Sequence, residues 1–308
     1  MRIEQSYAVA SDGTRIWWRS AGSGAPAALL CDGIGCAGWI WRELFPRLAR
    51  RARVLHWNYR GHGRTERPRE LDRTSLLDCV EDLFTVLDAA GEREAVLVGH
   101  SMGVQVCLEA HRRAPDRVPA LVLLCGAPGR TLDLFHDGPL LSHVFPRLER
   151  AVLAHPAVAR WAFRTIFPTE LALRLGLWLE VNRHLLPRPD LERYLADLAE
   201  VDPEVFVRIL AAAAQHDASD HLPRIQAPTL VVAGERDTFT PVSLSTRMHA
   251  AIPGSEMLLL PAASHVGPLE HPELVALRLE KFLDEREPRE PPQLTGGRPP
   301  APRRTRAV

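Results

Sequence analysis

Lysine is almost missing from this chain: of its 38 basic residues, all but Lys281 are arginine. We read this as a codon-usage signature, and it removes Schiff-base and other lysine-centred chemistry. An excess of charge is missing too, because 38 acidic residues balance the basic ones, which argues against nucleic acid as a partner. No apolar run approaches the roughly 18 residues that span a bilayer, and Met1 to Ser20 is too polar for a signal peptide. A cytoplasmic protein without a membrane span is therefore expected. The five cysteines, Cys31, Cys36, Cys79, Cys107 and Cys125, are odd in number and fall mostly in apolar segments, as reduced, buried thiols do. Cys31 and Cys36 bracket a glycine loop but lack the two further nearby ligands a metal site needs. Neither a metal nor a cofactor is expected.

What is present predicts a packed core: 46% hydrophobic and 25% charged residues are ordinary globular values, and 308 positions suit one large α/β domain with an insertion or two modest domains. Asp12-Gly13, between Tyr7-Ala8-Val9 and Ile16-Trp17-Trp18, predicts a β-hairpin. A strand over Ala25 to Cys31, a helix over Trp41 to Arg51 and a strand over Ala52 to Tyr59 follow. Ser75-x-x-Asp78 reads as a capping box opening an amphipathic helix that Gly91 stops. Strands are expected at Val96 to Val98 and Ala120 to Cys125, with a helix from Val104 to Arg113 between them. This alternation predicts an α/β fold, a mostly parallel sheet with helices on both faces.

From about Arg130 to Leu222 only helical patterns recur. Strand and helix then resume at Thr229 to Ala233, Pro241 to Ala251, Met257 to Leu260 and Pro272 to Glu285. The expected organisation is a core of residues 1–129 and 223–285, a helical cap of 130–222, and a Pro/Arg-rich disordered tail, 286–308. An insertion at the carboxyl end of a strand borders the edge where open α/β sheets bind ligands.

The chemistry converges on Gly99-His100-Ser101-Met102-Gly103. It stands between an apolar strand and a helix, so Ser101 occupies a sharp corner that holds its hydroxyl exposed, and the flanking Gly99 and Gly103 leave room for the tight approach. A serine hydroxyl needs a base and a group to orient that base. Asp237 and His265 each follow a later strand, and in a parallel sheet those strand ends share the edge with Ser101. His265 is the candidate base and Asp237 its orienting carboxylate, with Glu235 as the fallback acid. His100, as the serine's neighbour on the elbow, points away from the hydroxyl. An oxyanion needs amide donors, for which the backbone N–H groups of Met102 and of Ile34, in Asp32-Gly33-Ile34-Gly35, are the candidates.

These residues resemble the α/β-hydrolase fold superfamily, its ester and epoxide hydrolase type with a helical cap, over about residues 5 to 285. Gly99-His100-Ser101-Met102-Gly103, Arg60-Gly61-His62-Gly63, Gly234-x-x-Asp237 and the late His265 carry the likeness, which implies Ser101, Asp237 and His265 as a catalytic triad. Two positions depart from the family pattern: Asp32 stands where His often precedes the loop glycine, and Ser264 where glycine is common before the histidine. The aspartate nucleophile of the epoxide and haloalkane branches is absent.

Two rival readings remain. Gly33-Ile34-Gly35-Cys36-Ala37-Gly38 matches a dinucleotide fingerprint, yet the following strand ends at Asn58 instead of the ribose-binding acid. A ligand-binding protein that keeps the fold without turnover is the other. The favoured expectation is a hydrolase of carboxylic esters or related acyl bonds acting through an acyl-enzyme, with thioester, lactone, carbon-carbon and peracid chemistry as alternatives. A small, partly apolar acyl substrate is expected from the aromatic residues of the insertion, Trp161, Phe163, Trp178 and Tyr194. Oligomeric state is not legible.

Overall fold

The computed structural model describes residues 1–130, 140–179 and 188–285. The expected tail, 286–308, lies outside the described residues, as do parts of the expected cap. Eight strands form one sheet in the order β1-β2-β4-β3-β5-β6-β7-β8. They are β1 Ile3–Val9, β2 Arg15–Ala21, β3 Ala27–Cys31, β4 Val54–Trp57, β5 Ala95–His100, β6 Leu121–Leu124, β7 Thr229–Gly234 and β8 Glu256–Leu260. The first hairpin is antiparallel and β2 joins β4 antiparallel; every later pairing is parallel.

The local signals explain these elements. Asp12 closes the hairpin by accepting from the Thr14 amide at 3.1 Å and hydroxyl at 2.7 Å, with Gly13 at φ +79°. Helix α2, Leu76–Ala90, begins in the expected capping box and ends at left-handed Gly91. The helix expected over Trp41 to Arg51 is much shorter. A 3-10 turn, Trp39–Trp41, precedes α1, Leu44–Leu48, because the ring of Pro46 excludes a helical carbonyl at residue 42.

Central strands alternate their side chains between two apolar layers. Leu29, Leu55, Leu97 and Val231 face one layer with Leu83, Val106 and Met248, while Leu30, Val54, Val96 and Val232 face the other with Leu44, Leu48 and Phe282. These partners come from α2, α3 (Met102–Arg113) and α9 (Val242–Ala251) on one side, and from α1 and α11 (Pro272–Asp284) on the other. The sheet is thus covered on both faces, as the run of apolar strands requires.

Between β6 and β7 lie α4 Leu140–Ala154, α5 Pro156–Ile166, α6 Glu170–Leu179, α7 Arg188–Ala199 and α8 Pro203–Gln215. Two arginines fasten this helical insertion to the sheet domain. Arg42 pairs with Asp190 at the head of α7, and Arg67 pairs with Asp202 and, at 2.7 Å, with Glu204 at the head of α8. The single short helix α10, Gly267–Glu270, follows β8. No helix among the described residues is long and apolar enough to cross a membrane.

The Arg60-Gly61-His62-Gly63 loop is anchored by a fully buried guanidinium. Arg60 Nε and Nη2 donate to Asp82 at 2.6 and 2.7 Å, and Nη1 donates to Asp12 at 2.8 Å. This ties the hairpin turn, α2 and the end of β4 together. Removing one partner strands a buried charge, which costs about 3–5 kcal/mol. Asp82→Ala is therefore expected to lower the stability measured by urea unfolding by that amount, whereas Asp88→Ala, on the exposed face of α2, changes it by less than about 1 kcal/mol.

Candidate active site

Ser101 stands at the junction of β5 and α3 with φ 55° and ψ −119°, a backbone state that an L-residue holds only when its surroundings enforce it. The two flanking glycines make this geometry possible. A Cβ at Gly99 would lie 2.4 Å from the Gly103 carbonyl oxygen, and a Cβ at Gly103 would lie 2.3 Å from that of Cys31. The turn is thereby pressed against the end of β3, which pairs with β5 through Cys31 and Gly99.

Parallel pairing brings the three candidates from distant segments to one edge. His265 Nε2 lies 2.9 Å from Ser101 Oγ, and His265 Nδ1 lies 2.9 Å from Asp237 Oδ2. With the Nδ1 proton donated to the carboxylate, Nε2 is the acceptor for the serine hydroxyl. Asp237 is 5% exposed. Burial alone would push its carboxyl up, but the His265 charge, the bond to His265 and donors from Thr240 outweigh burial and hold it below the usual carboxylate range. The Phe239 and Thr240 amides both donate to Asp237 Oδ1 at 2.9 Å, and the Thr240 hydroxyl donates to Oδ2 at 2.8 Å. Phe239 also stacks on the imidazole, with centroids 4.9 Å apart. Chemically, such an array can take a proton from a hydroxyl and stabilise the imidazolium that results.

His100 is close to His265 yet serves elsewhere. Its Nε2 donates to the His265 backbone carbonyl at 2.9 Å. Burial, then the neighbouring His265 charge, push it down to about 4, so it is neutral near pH 7. Glu235, the fallback acid, accepts from the Ala262 amide at 2.7 Å and so braces the turn that carries His265.

The Asp32-Gly33-Ile34 loop lies directly against the nucleophile turn, where a Cβ at Gly33 would sit 3.1 Å from Ser101 Cβ. Neither the Ile34 nor the Met102 amide donates to an acceptor among the described residues; Met102 opens α3, whose first amides have no intrahelical acceptor. Asp32 turns away from this site. Its carboxylate meets buried His56 at 2.9 Å, and its carbonyl accepts from the Tyr59 hydroxyl at 2.8 Å. The aspartate in the place of the family's histidine thus finds a histidine as its own partner. The glycine fingerprint of this loop opens only the three-residue turn at Trp39, and a Cβ at Gly35 would strike Leu198 at 2.8 Å; the long helix that would receive a pyrophosphate is not there.

A pocket of about 100 Å³ opens on Ser101 and His265, walled by Ile34, Trp39, Leu191, Tyr194, Phe239 and Val266. Trp39 and Tyr194 stack at 4.9 Å. Of the insertion aromatics singled out above, Tyr194 alone lines this pocket among the described side chains. Trp161 is 65% exposed and Phe163 packs on Phe167 and Phe206, because α5 turns its rings to α8 and solvent. The side chain of Trp178 lies outside the described residues. The five cysteines are buried and none is in a disulfide, and among the described residues no group of three or more His, Cys, Asp or Glu side chains is arranged to hold a metal.

Sequence reasoning passed over Phe239, Thr240, Glu270, His56 and Tyr59. Thr240 had a local signal, since amides two and three residues after an aspartate commonly bond its carboxylate. The Phe239 amide follows the same local rule, Glu270 meets Ser264 across the short turn between β8 and α10, and His56 and Tyr59 are brought in by long-range packing. Because the folded Asp237 titrates below its unfolded value, its ionised form adds stability that is complete above about pH 5 and is lost as pH falls through the folded value. The stability gap between wild type and Asp237→Asn, read from urea midpoints at about pH 5 and below, is expected to shrink as pH falls below about 4.

The fold agrees with what comparison with known proteins shows. The family model described as the alpha/beta hydrolase fold matches residues 26–272. A Klebsiella pneumoniae protein, named provisionally as the carbamate hydrolase RutD, is 30% identical over 244 residues, covering 79% of this chain and 85% of its own. The crystal structure of a hydrolase from Pseudomonas aeruginosa superimposes with a TM-score of 0.76 at 29% identity, covering 91% of this chain and 98% of its own. A thermophilic esterase from Thermogutta terrifontis shares the fold with a TM-score of 0.76 at 22% identity, covering 92% and 98%. With the sheet order, the nucleophile turn and a match across four-fifths of its length, the chain belongs to the α/β-hydrolase fold family.

Proposed function

We propose that this protein is a serine hydrolase that cleaves short-chain carboxylic esters, or closely related acyl bonds, through an acyl-enzyme intermediate. The observation that carries the reading is the continuous chain Ser101 Oγ, His265 Nε2, His265 Nδ1, Asp237 Oδ2, with 2.9 Å at each contact. His265 takes the serine proton as Oγ attacks the carbonyl carbon, then gives it to the leaving oxygen. Water repeats the cycle on the acyl-serine with the same base. Asp237 stays ionised and holds the imidazole tautomer. The Ile34 and Met102 amides face the oxygen that becomes negative. The insertion acts as a cap, 130–222, whose helix α7 supplies Leu191 and Tyr194 as the roof.

Pocket size supports a short acyl group. At about 100 Å³ the pocket is smaller than a cavity of about 150 Å³ that takes benzene. The relative named as a carbamate hydrolase makes a carbamate of similar size a second substrate to try, since its carbonyl is open to the same attack.

The test is a series of nitrophenyl esters of increasing acyl length, with a nitrophenyl carbamate alongside, and fluorophosphonate labelling in parallel. Wild type is expected to label at Ser101 and to favour acetyl to butyryl esters. Ser101→Ala is expected to lose labelling and at least about 10⁴-fold in kcat. Unlabelled wild type, or equal rates in the variant, would sink the serine mechanism. Tyr194→Ala removes the end wall and is expected to raise kcat/KM for hexanoyl and octanoyl esters about 10-fold relative to acetyl.

A further inference from the structure

The turn that carries His265 is held from outside at several points. Residues 261–266 connect β8 to α10, and Ala262 within them sits at φ 54°, a conformation that does not persist unaided. Glu235 binds the Ala262 amide. Two residues later the Ser264 amide donates to Glu270 Oε2 at 2.6 Å, and the Ser264 hydroxyl donates to Glu270 Oε1 at 2.8 Å. Beyond the imidazole-bearing residue, the His265 carbonyl accepts from His100 Nε2. The backbone on each side of His265 is therefore bound by a side chain, Glu270 before it and His100 after it.

Glu270 is the more informative of the two. It is 6% exposed, as is Ser264, and a carboxylate taken from water is tolerated only when donors meet its oxygens. Both of its oxygens meet donors of the one residue that precedes His265, and bonds to an ionised acceptor are roughly twice as strong as neutral ones. The serine at 264 is part of the device: its hydroxyl supplies the second donor, which glycine at this position would lack.

We propose that Glu270 is a positioning residue for His265, gripping Ser264 at two points so that the imidazole keeps its place between Ser101 and Asp237 while it gains and loses a proton. This rests on the reading of Ser101, His265 and Asp237 as the catalytic groups. The need for such a grip follows from the geometry. The ring meets Asp237 at Nδ1, with the Thr240 hydroxyl 3.4 Å away, Ser101 at Nε2 and Phe239 on its face, and all of these contacts depend on where the backbone places the ring. Fixing the backbone from which the ring projects keeps them in place. A displacement of about 1 Å in a reacting group can cost on the order of 100-fold in rate.

The experiment compares wild type, Glu270→Gln, Ser264→Ala and the double variant, all well below their melting temperatures. It reads kcat and KM on a short-chain nitrophenyl ester and, separately, the rate of fluorophosphonate labelling. Glu270→Gln keeps the shape but replaces the charged acceptor by a neutral amide, which holds the Ser264 amide less strongly. It is expected to lower kcat and the labelling rate together by about 10-fold with KM within about twofold. Ser264→Ala keeps the amide contact and is expected to lose about 3-fold, and the double variant no more than Glu270→Gln, because both changes break one device. Folded Glu270→Gln with wild-type kcat and labelling, or a loss confined to KM, overturns the proposal. If Glu270→Gln fails to fold, Ser264→Ala decides, and its labelling at the wild-type rate overturns the proposal. Wild type that does not label at all refutes the serine reading and the positioning role with it, whereas labelled wild type beside unaffected variants refutes the positioning role alone.

Discussion

The tight contact between the β5–α3 turn and the end of β3 is the constraint on which the site depends. Gly99 and Gly103 let three backbone segments approach where any side chain would collide, and the approach leaves Ser101 in a strained state costing about 1–3 kcal/mol. The sheet supplies the opposing force. Ser101 N donates to the Leu124 carbonyl at 3.1 Å, and β5 is paired on both sides along its length. In the proposed mechanism this strain aims the hydroxyl before any substrate arrives.

The second layer of the design is electrostatic and lies under the strand ends. Three acids surround the imidazole and its turn, each with a separate task. Asp237 meets the ring, Glu235 the Ala262 amide and Glu270 both donors of Ser264. Asp237 and Glu270 are buried and met by donors, which is how anions survive in a poorly solvated place, whereas Glu235 is exposed. The division leaves one carboxylate to respond to the charge of His265 while the other two hold backbone.

Chemistry and selectivity occupy different parts of the chain. Ser101, Asp237 and His265, the groups proposed to react, stand on the sheet domain, whereas Leu191 and Tyr194 reach the pocket from α7, which Arg42 fastens through Asp190. Leu191 and Leu195 of the same helix are buried in the apolar layer that covers one face of the sheet, so α7 is held by apolar contact as well as by charge.

Much of this was legible in the residues themselves. Ser101 announced itself because glycine spacing, a preceding apolar run and a following helix are all local, and Asp237 and His265 followed from their places after strands in a parallel sheet. The capping box at Ser75, the hairpin at Asp12 and the helical insertion were legible for the same reason: each is a pattern within one short window. Local pattern misjudged the helix after Trp41, where one proline outweighed periodicity, and could not tell Tyr194, which lines the pocket, from Trp161, which faces solvent. Tertiary structure alone decided that Asp32 would meet His56 and that Glu235 would brace a turn. Those outcomes depend on which side chains meet once strands distant in sequence pair and helices close over them. Periodicity and spacing describe which face an element buries, while the partner it finds there is set by the packing of the whole chain.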